Sequence, residues 1–411
     1  MNHRIQAVVA HKGAREHFLA ARALHRRDAL AALVTDWYSP LDASWRERLQ
    51  RINPSLARAL AATCDELPRD RVRALNGFGL RSRVTLRFAE RRGRLLEKMM
   101  QDDQRFARRV ATLDLPPHNV FLGFSYAALE ALEAERKRGV LTVVDQIDPG
   151  RTEWELVREE AERWPAYADP MGPPAAGYYE RAEAEWRAAD IVLVNSVWSR
   201  DALVRQGADA ARIRVIPLAY EAPERVDPRP VRTSAPFTVL WLGSVILRKG
   251  IPYLVEAART LADEPVRFVV AGPIGIHTQA MRDAPPNVEW RGPVPRGAAQ
   301  ALYREADLFV LPTISDGFAI TQVEALANGV PVIATPNCGD VVEEGKTGFL
   351  VPARDAAALA EAIRRFVREP GLAARMRESC LATASRFSIE AYADRLTSIL
   401  YDAVAARGGE R

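Results

Sequence analysis

The sequence predicts an α/β protein built on parallel sheets, and three observations carry that reading. Short apolar runs alternate with helical stretches along the whole chain, the pattern of strands joined by crossover helices. A segment dense in proline and charge, Glu221-Ala222-Pro223-Glu224-Arg225-Val226-Asp227-Pro228-Arg229-Pro230, divides the chain into two halves and reads as an interdomain linker. The length of 411 residues, with 48% apolar and 27% charged, leaves room for two or three domains with large cores and matches a globular composition.

In the first half the candidate strands are Gln6–Ala10, Ala31–Thr35, Asn119–Gly123, Val140–Val144 and Ile191–Asn195, with a further short run at Ile213–Pro217. Helices are expected over Arg15–His25, Ser44–Arg51, Arg87–Met100, Tyr126–Arg136 and Pro174–Ala189. The alternation of Arg83, Thr85 and Arg87 with Val84, Leu86 and Phe88 predicts a half-buried strand. In the second half strands fall at Thr238–Leu242, Val266–Ala271, Val288–Arg291, Asp307–Leu311 and Val330–Ala334. Helices follow at Ile251–Leu261, Ala298–Glu305, Ile320–Ala327, Ala356–Arg368, Gly371–Ala384 and Ile389–Ala406. This order fits two Rossmann-like domains with a cleft between them.

Composition excludes several classes. No run approaches the ~18 apolar residues of a membrane helix. No charged-then-apolar secretory segment opens the chain, so a cytoplasmic protein is expected. Cys64, Cys338 and Cys380 form no CxxC pair, and the histidines show no metal spacing; His17 and His25 stand too far apart for an i, i+4 pair. No Asp-x-Asp is present to chelate a metal diphosphate, and no Gly-x-Gly-x-x-Gly follows any strand, which leaves a dinucleotide dehydrogenase poorly supported.

The net charge of +4 is uneven: ten basic residues against three acids lie between Arg69 and Lys98. Such a patch is either a solvated face of an arginine-rich protein or a surface for anionic lipid or an acidic acceptor; the alternating run at residues 83–88 does not read as a nucleic-acid motif.

The most informative stretch is Ser315-Asp316-Gly317-Phe318-Ala319-Ile320-Thr321-Gln322-Val323-Glu324. A strand runs through Pro312 and a glycine turn into a helix whose first N–H groups lack intrahelical partners and suit an anion. Two carboxylates bracket that turn and suit hydroxyl groups, so the chemistry is that of a nucleotide sugar. A second constellation, Gly243-Ser244-Val245-Ile246-Leu247-Arg248-Lys249-Gly250, follows a strand and sets two cations at the carboxyl end of the sheet. Cations there stabilise the charge developing on a diphosphate leaving group.

The spacing from Asp316 to Glu324, continued by Asn328-Gly329-Val330-Pro331, resembles the acidic-x7-acidic signature of retaining GT-B glycosyltransferases of family 4, with Asp316 where that family usually has Glu. The resemblance is strong over Thr238 to about Pro352 and looser elsewhere. It implies two Rossmann-like domains in the GT-B arrangement: residues 1–220 on the acceptor side, a linker over 221–236, a donor-binding domain over 237–385, and a final helix within 386–411 crossing back onto the first domain. It implies that Glu324 binds the ribose and Asp316 a sugar hydroxyl, while Gly317, Phe318, Ala319, Ile320 and Thr321 meet sugar and phosphate. Lys249-Gly250 match the family and Ser244 stands where it has arginine, which leaves Arg248 to supply the charge beside Gly243. The loop His11-Lys12-Gly13-Ala14 occupies the place of a glycine-rich donor loop, with Gly13 its single glycine.

Asp145, after a strand, stands where the family has a polar residue near the acceptor hydroxyl; Asp148 competes for that role, and turn chemistry before Pro149-Gly150 is the alternative. Ser196 is expected to cap a helix. The implied activity is metal-independent, retaining transfer of a hexosyl group from a nucleotide-diphosphate sugar to a glycan, lipid-linked or small-molecule acceptor, with no cofactor and no nucleic-acid partner. A non-catalytic sugar-nucleotide binder and a GT-B sugar-nucleotide epimerase are the rival readings.

Overall fold

Two parallel sheets organise the computed structural model, which describes residues 4–41, 43–53, 60, 62–168, 173–221 and 236–409. The first sheet contains β1 (Ala7–His11), β2 (Leu30–Thr35), β3 (Val72–Ala74), β4 (Val120–Phe124), β5 (Leu141–Gln146), β6 (Ile191–Val194) and β7 (Ile213–Val215). Their order is β3-β2-β1-β4-β5-β6-β7. The second contains β8 (Phe237–Leu242), β9 (Val266–Ala271), β10 (Val288–Gly292), β11 (Leu308–Leu311), β12 (Val332–Ala334) and β13 (Gly348–Leu350). Their order is β10-β9-β8-β11-β12-β13. In both sheets the order reverses beside the first strand of the domain. Ligands bind open α/β sheets at such a switch point, outside the carboxyl ends of the strands.

The strands are near-continuous apolar runs because helices cover both faces. Val8 and Val9, neighbours on β1, enter separate apolar clusters on opposite faces of the first sheet. The second domain closes around Trp241, Phe268 and Phe309, all fully buried. The last helix, Ile389–Gly409, buries Tyr392, Leu396 and Leu400 against Leu24 and Leu33 of the first domain. Arg26 pairs with Glu390, and Arg407 with Asp190 at 2.6 Å, along the same contact. Most of the segment read as a linker, residues 222–235, lies outside the described residues.

Several sequence expectations are corrected. Residues 83–88 form no strand; they lie in the helix Asn76–Glu90. Gly79 and Ser82 face inward while Leu80, Val84 and Phe88 face out, so the period is helical and the apparent alternation is incidental. The single helix expected over Arg87–Met100 is two, Asn76–Glu90 and Leu95–Ala111, broken at residues 91–94. The helix expected from Arg15 begins at Leu19, because Glu16, His17 and Phe18 all hold positive φ. The helix Arg151–Arg163 and the strands β3 and β13 were not anticipated.

Candidate active site

The chain leaves β8 through Gly243 and makes a 3-10 turn at Leu247–Lys249 before the helix Ile251–Thr260. Gly243 has φ +156, its N–H donates to Ala271 O at 3.0 Å, and its carbonyl packs against Gly272. Its place in the structure is therefore a close crossing of two loops, with its N–H already engaged. The turn delivers Arg248 and Lys249 to the carboxyl end of the sheet, and Ser244 beside it is exposed.

The loop after β11 meets them. Lys249 is ion-paired with Asp316, and Arg248 Nη1 lies 3.5 Å from the same carboxylate. Arg248 also donates to Ser315 O at 3.0 Å. Burial, aided by the neighbouring Arg248 charge, pushes the Lys249 ammonium down to about 7. Glu153 opposes that shift, and the Asp316 carboxylate in contact favours the charged amine.

From Asp316 the chain enters the helix Ile320–Ala327. The Phe318 ring packs on Phe387 with centroids 5.8 Å apart, and the residue lines the cleft. The Ala319 N–H donates to Cys338 O at 3.1 Å and is not available to a ligand, contrary to expectation. Ile320 and Thr321 open the helix, where N–H groups have no intrahelical acceptor. Further along, Glu324 accepts a hydrogen bond from the buried Tyr303 hydroxyl at 2.8 Å, which fixes the carboxylate at the helix surface.

The first domain supplies the opposite wall. A cavity of about 290 Å³ is lined by Asp316, Gly317 and Arg248 from one side and by Asp145, Arg15 and Asn195 from the other. Glu324, Gly243 and Gly13 lie outside that lining. Burial, with the Glu16 charge nearby, pushes the Asp145 carboxyl up to about 7. Asp148 is already committed, its Oδ1 accepting from Tyr126, Gln146 and Gly150 at 2.8, 2.9 and 2.9 Å. Both aspartates line the cavity, and they differ in that Asp148 Oδ1 is taken up by these three donors.

Gly13 departs from its expected role. Its N–H donates to Asp36 Oδ1 at 2.6 Å, and its loop lines a second, larger cavity of about 1120 Å³. His11, buried behind it, is pushed down to about 4 by burial and holds Gly13 O at 2.9 Å. Ser196 caps the helix Val197–Arg205 as expected, accepting from Ser199 N.

Sequence reasoning missed Glu153, on the unanticipated helix Arg151–Arg163. Its Oε2 accepts from Ser315 Oγ at 3.0 Å and from Arg248 at 3.3 Å, tying the two domains beside the cations. The period Trp154, Val157, Ala161 was the available signal. Among the described residues no group of three or more His, Cys, Asp or Glu is placed to hold a metal ion. No described helix is long and apolar enough to cross a membrane.

Comparison with known proteins follows the same division. Residues 236–369 match the family model described as Glycosyl transferases group 1. The whole chain superposes on GT-B structures, so the fold is GT-B. Sucrose-phosphate synthase from Thermosynechococcus elongatus aligns over 98% of this chain and 100% of its own, with TM-score 0.59 and 19% identity. Anabaena Alr3699/HepE, solved with UDP and glucose, aligns over 97% and 100%, with TM-score 0.58 and 17% identity.

In sequence, a protein provisionally named colanic acid biosynthesis glycosyltransferase WcaL, from Escherichia coli (strain K12), is 30% identical over 44% of this chain and 48% of its own length. A D-inositol 3-phosphate glycosyltransferase from Corynebacterium glutamicum (strain R) is 30% identical over 41% and 44%. The chain thus spans about half the length of these curated relatives.

Proposed function

We propose that the protein is a retaining glycosyltransferase that moves a hexosyl group from a nucleotide-diphosphate sugar to an acceptor hydroxyl, without a metal ion. The observation that carries the reading is the convergence of Arg248 and Asp316, the latter ion-paired with Lys249, on a cavity whose far wall holds Asp145. The group 1 glycosyltransferase domain and the UDP-bound Anabaena neighbour support a nucleotide-sugar donor. In this reading residues 237–385 hold the donor, and residues 1–220, completed by the final helix, hold the acceptor.

The anomeric carbon–oxygen bond to the diphosphate breaks, and a bond from the acceptor oxygen to that carbon forms on the same face. The acceptor proton passes to the departing phosphate oxygen. Arg248 and Lys249, with the opening turn of the Ile320 helix, stabilise the leaving diphosphate. Asp316 holds a sugar hydroxyl, Glu324 the ribose, and Asp145 orients the acceptor hydroxyl. The large cavity adjoining the site favours transfer over epimerisation, which uses no second substrate.

In this reading the protein works in the cytoplasm, with the basic helix Asn76–Glu90 lying on anionic lipid at the inner face of the membrane. Arg81, Arg87, Arg91 and Arg92 are exposed there, beside Leu80, Val84 and Phe88, which are 54%, 48% and 56% exposed. An amphipathic helix of this composition suits the lipid interface.

The test is a thermal-shift and calorimetric screen with UDP, GDP, ADP, TDP and CMP, followed by the corresponding sugars. A ligand bound by the native state alone raises the melting midpoint. One diphosphate is expected to stabilise strongly and to lose that effect in Glu324→Ala. Stabilisation by none of them overturns the donor assignment.

A further inference from the structure

The larger cavity is built unlike the donor cleft. One end is polar: Lys12 is paired with Asp103 at 2.5 Å, and Arg15, Glu16 and Asp36 stand nearby. The remaining wall is mainly apolar and aromatic, formed by Leu96, Met99, Trp154, Val157, Ala161 and Pro174, with the Arg158 guanidinium laid over the Trp154 ring at 5.0 Å and Ser125 as its polar members. Tyr178 adds to it, stacked on the buried Tyr126 with centroids 4.1 Å apart.

The polar end is the end that meets the reaction centre, because Arg15, Glu16 and Phe124 line both this cavity and the one containing Asp145 and Asp316. Glu16 at φ 40 lies in a run of three non-glycine residues at positive φ, a strained loop of the kind found at ligand sites. At the apolar end Met99 is 43% exposed, and its helix packs against the helix carrying Val84 and Phe88.

A free sugar is hydroxylated over most of its surface. Seating it here would strip water from hydroxyls against Leu, Met, Val and Pro side chains that return no hydrogen bond, at a cost for every unpaired group. A hydroxylated head on an apolar tail matches both ends. Resting on the glycosyltransferase reading, we propose that the acceptor is an amphiphile: its hydroxylated head meets Arg15, Glu16 and Asp145, and its alkyl or prenyl body lies along Leu96, Met99, Trp154 and Val157.

The experiment titrates the full chain with methyl and octyl glycosides of glucose, galactose and mannose, the octyl compounds below their micelle concentration, by calorimetry and tryptophan fluorescence. Each buried methylene tightens binding about fourfold. At least one octyl glycoside should therefore bind at one site per chain, on the order of 30-fold or more tighter than its methyl counterpart. Met99→Glu at the cavity mouth and Trp154→Ala on its wall should each weaken the octyl ligand about 10-fold or more, leaving nucleotide-diphosphate stabilisation unchanged. Octyl binding no tighter than methyl binding, absence of binding by all six, or indifference to both substitutions overturns the inference. Octyl binding as described in a protein that no nucleotide stabilises removes the donor assignment and leaves the amphiphile site standing.

Discussion

Glu153 and Arg248 meet across the domain cleft at 3.3 Å, and the same carboxylate oxygen accepts from Ser315 at 3.0 Å. Arg248 is thereby shared among Glu153, Asp316 and Ser315 O before any donor arrives. A preordered cation costs no reorganisation when charge develops on the leaving group. Arg248→Ala and Lys249→Ala are expected to lower turnover by about 10² or more; near wild-type rates in both folded variants would remove the leaving-group assignment. Burial raises the Glu153 carboxyl, against the pull of Arg248, and its charge opposes an incoming diphosphate. Glu153→Gln keeps the shape and removes that charge, so diphosphate affinity should rise about 3- to 10-fold at low salt. Weaker binding in calorimetry contradicts this.

Asp145 makes a linked prediction about pH. Its carboxyl is held at about 7, above the ordinary aspartate value of 3.8, by burial first and the Glu16 charge second. A carboxyl raised in the folded state contributes stability that is complete below about pH 4 and is lost as pH rises through about 7. Asp145→Asn has no such loss. It should match wild type near pH 4 and exceed it by about 1–3 kcal/mol at pH 8, with glycosyl transfer reduced by about 10² or more. Denaturant melts at the two pH values measure the difference; equal stability at pH 8 would show that the carboxyl is not strained by its site.

Gly317 is one point of close approach between the second domain and the first. A Cβ there would lie 2.5 Å from Ile147 O and 2.9 Å from the Asn195 side chain. Backbone carbonyls yield less than flexible side chains, so Gly317→Ala should part the domains at the catalytic cleft while each retains its own core. Turnover should fall about 10-fold or more, and nucleotide stabilisation through the second domain should survive. Retained turnover would show that this approach is not needed for catalysis. Asn195→Ala removes one of the two obstructing groups, and combining it with Gly317→Ala should restore part of the rate.

The parallel-sheet architecture was legible because buried strands are apolar runs, and the Arg248-Lys249 pair and Asp316 were legible because each follows such a run. The structure brings them together although 67 positions separate Lys249 from Asp316. The helix Arg151–Arg163 was hidden because its apolar residues are only partly buried among charged ones and Pro149-Gly150 drew the reading toward a turn. Gly13 was misread because a sequence does not reveal that Asp36 has already taken its N–H. The strand expected at residues 83–88 failed for a related reason: alternation in a short window fits two periods, and only the partners of Gly79 and Ser82 distinguish them. Ser82 donates to Asp102 at 2.6 Å, which turns that face of the helix inward.

The basic segment from Arg69 to Lys98 is less uniformly available than its composition implies. Lys98 is paired with Asp102, Arg94 with Glu97 at 2.8 Å, and Arg83 stacks over Trp37 at 4.6 Å. The charge open to the proposed lipid contact therefore rests on Arg81, Arg87, Arg91 and Arg92, flanking the exposed stripe of Leu80, Val84 and Phe88. Each arginine near an anionic surface contributes about 1 kcal/mol, screened within a Debye length. Cosedimentation with vesicles rich in phosphatidylserine should be strong at low salt and fall steeply by about 0.5 M salt. The double variant Arg87→Glu with Arg91→Glu should abolish it, and Phe88→Ser should weaken it even at low salt because the apolar contribution is not screened. Binding that ignores salt, or that survives the charge reversal, would move the membrane contact to another surface, and absence of binding would leave this face to solvent.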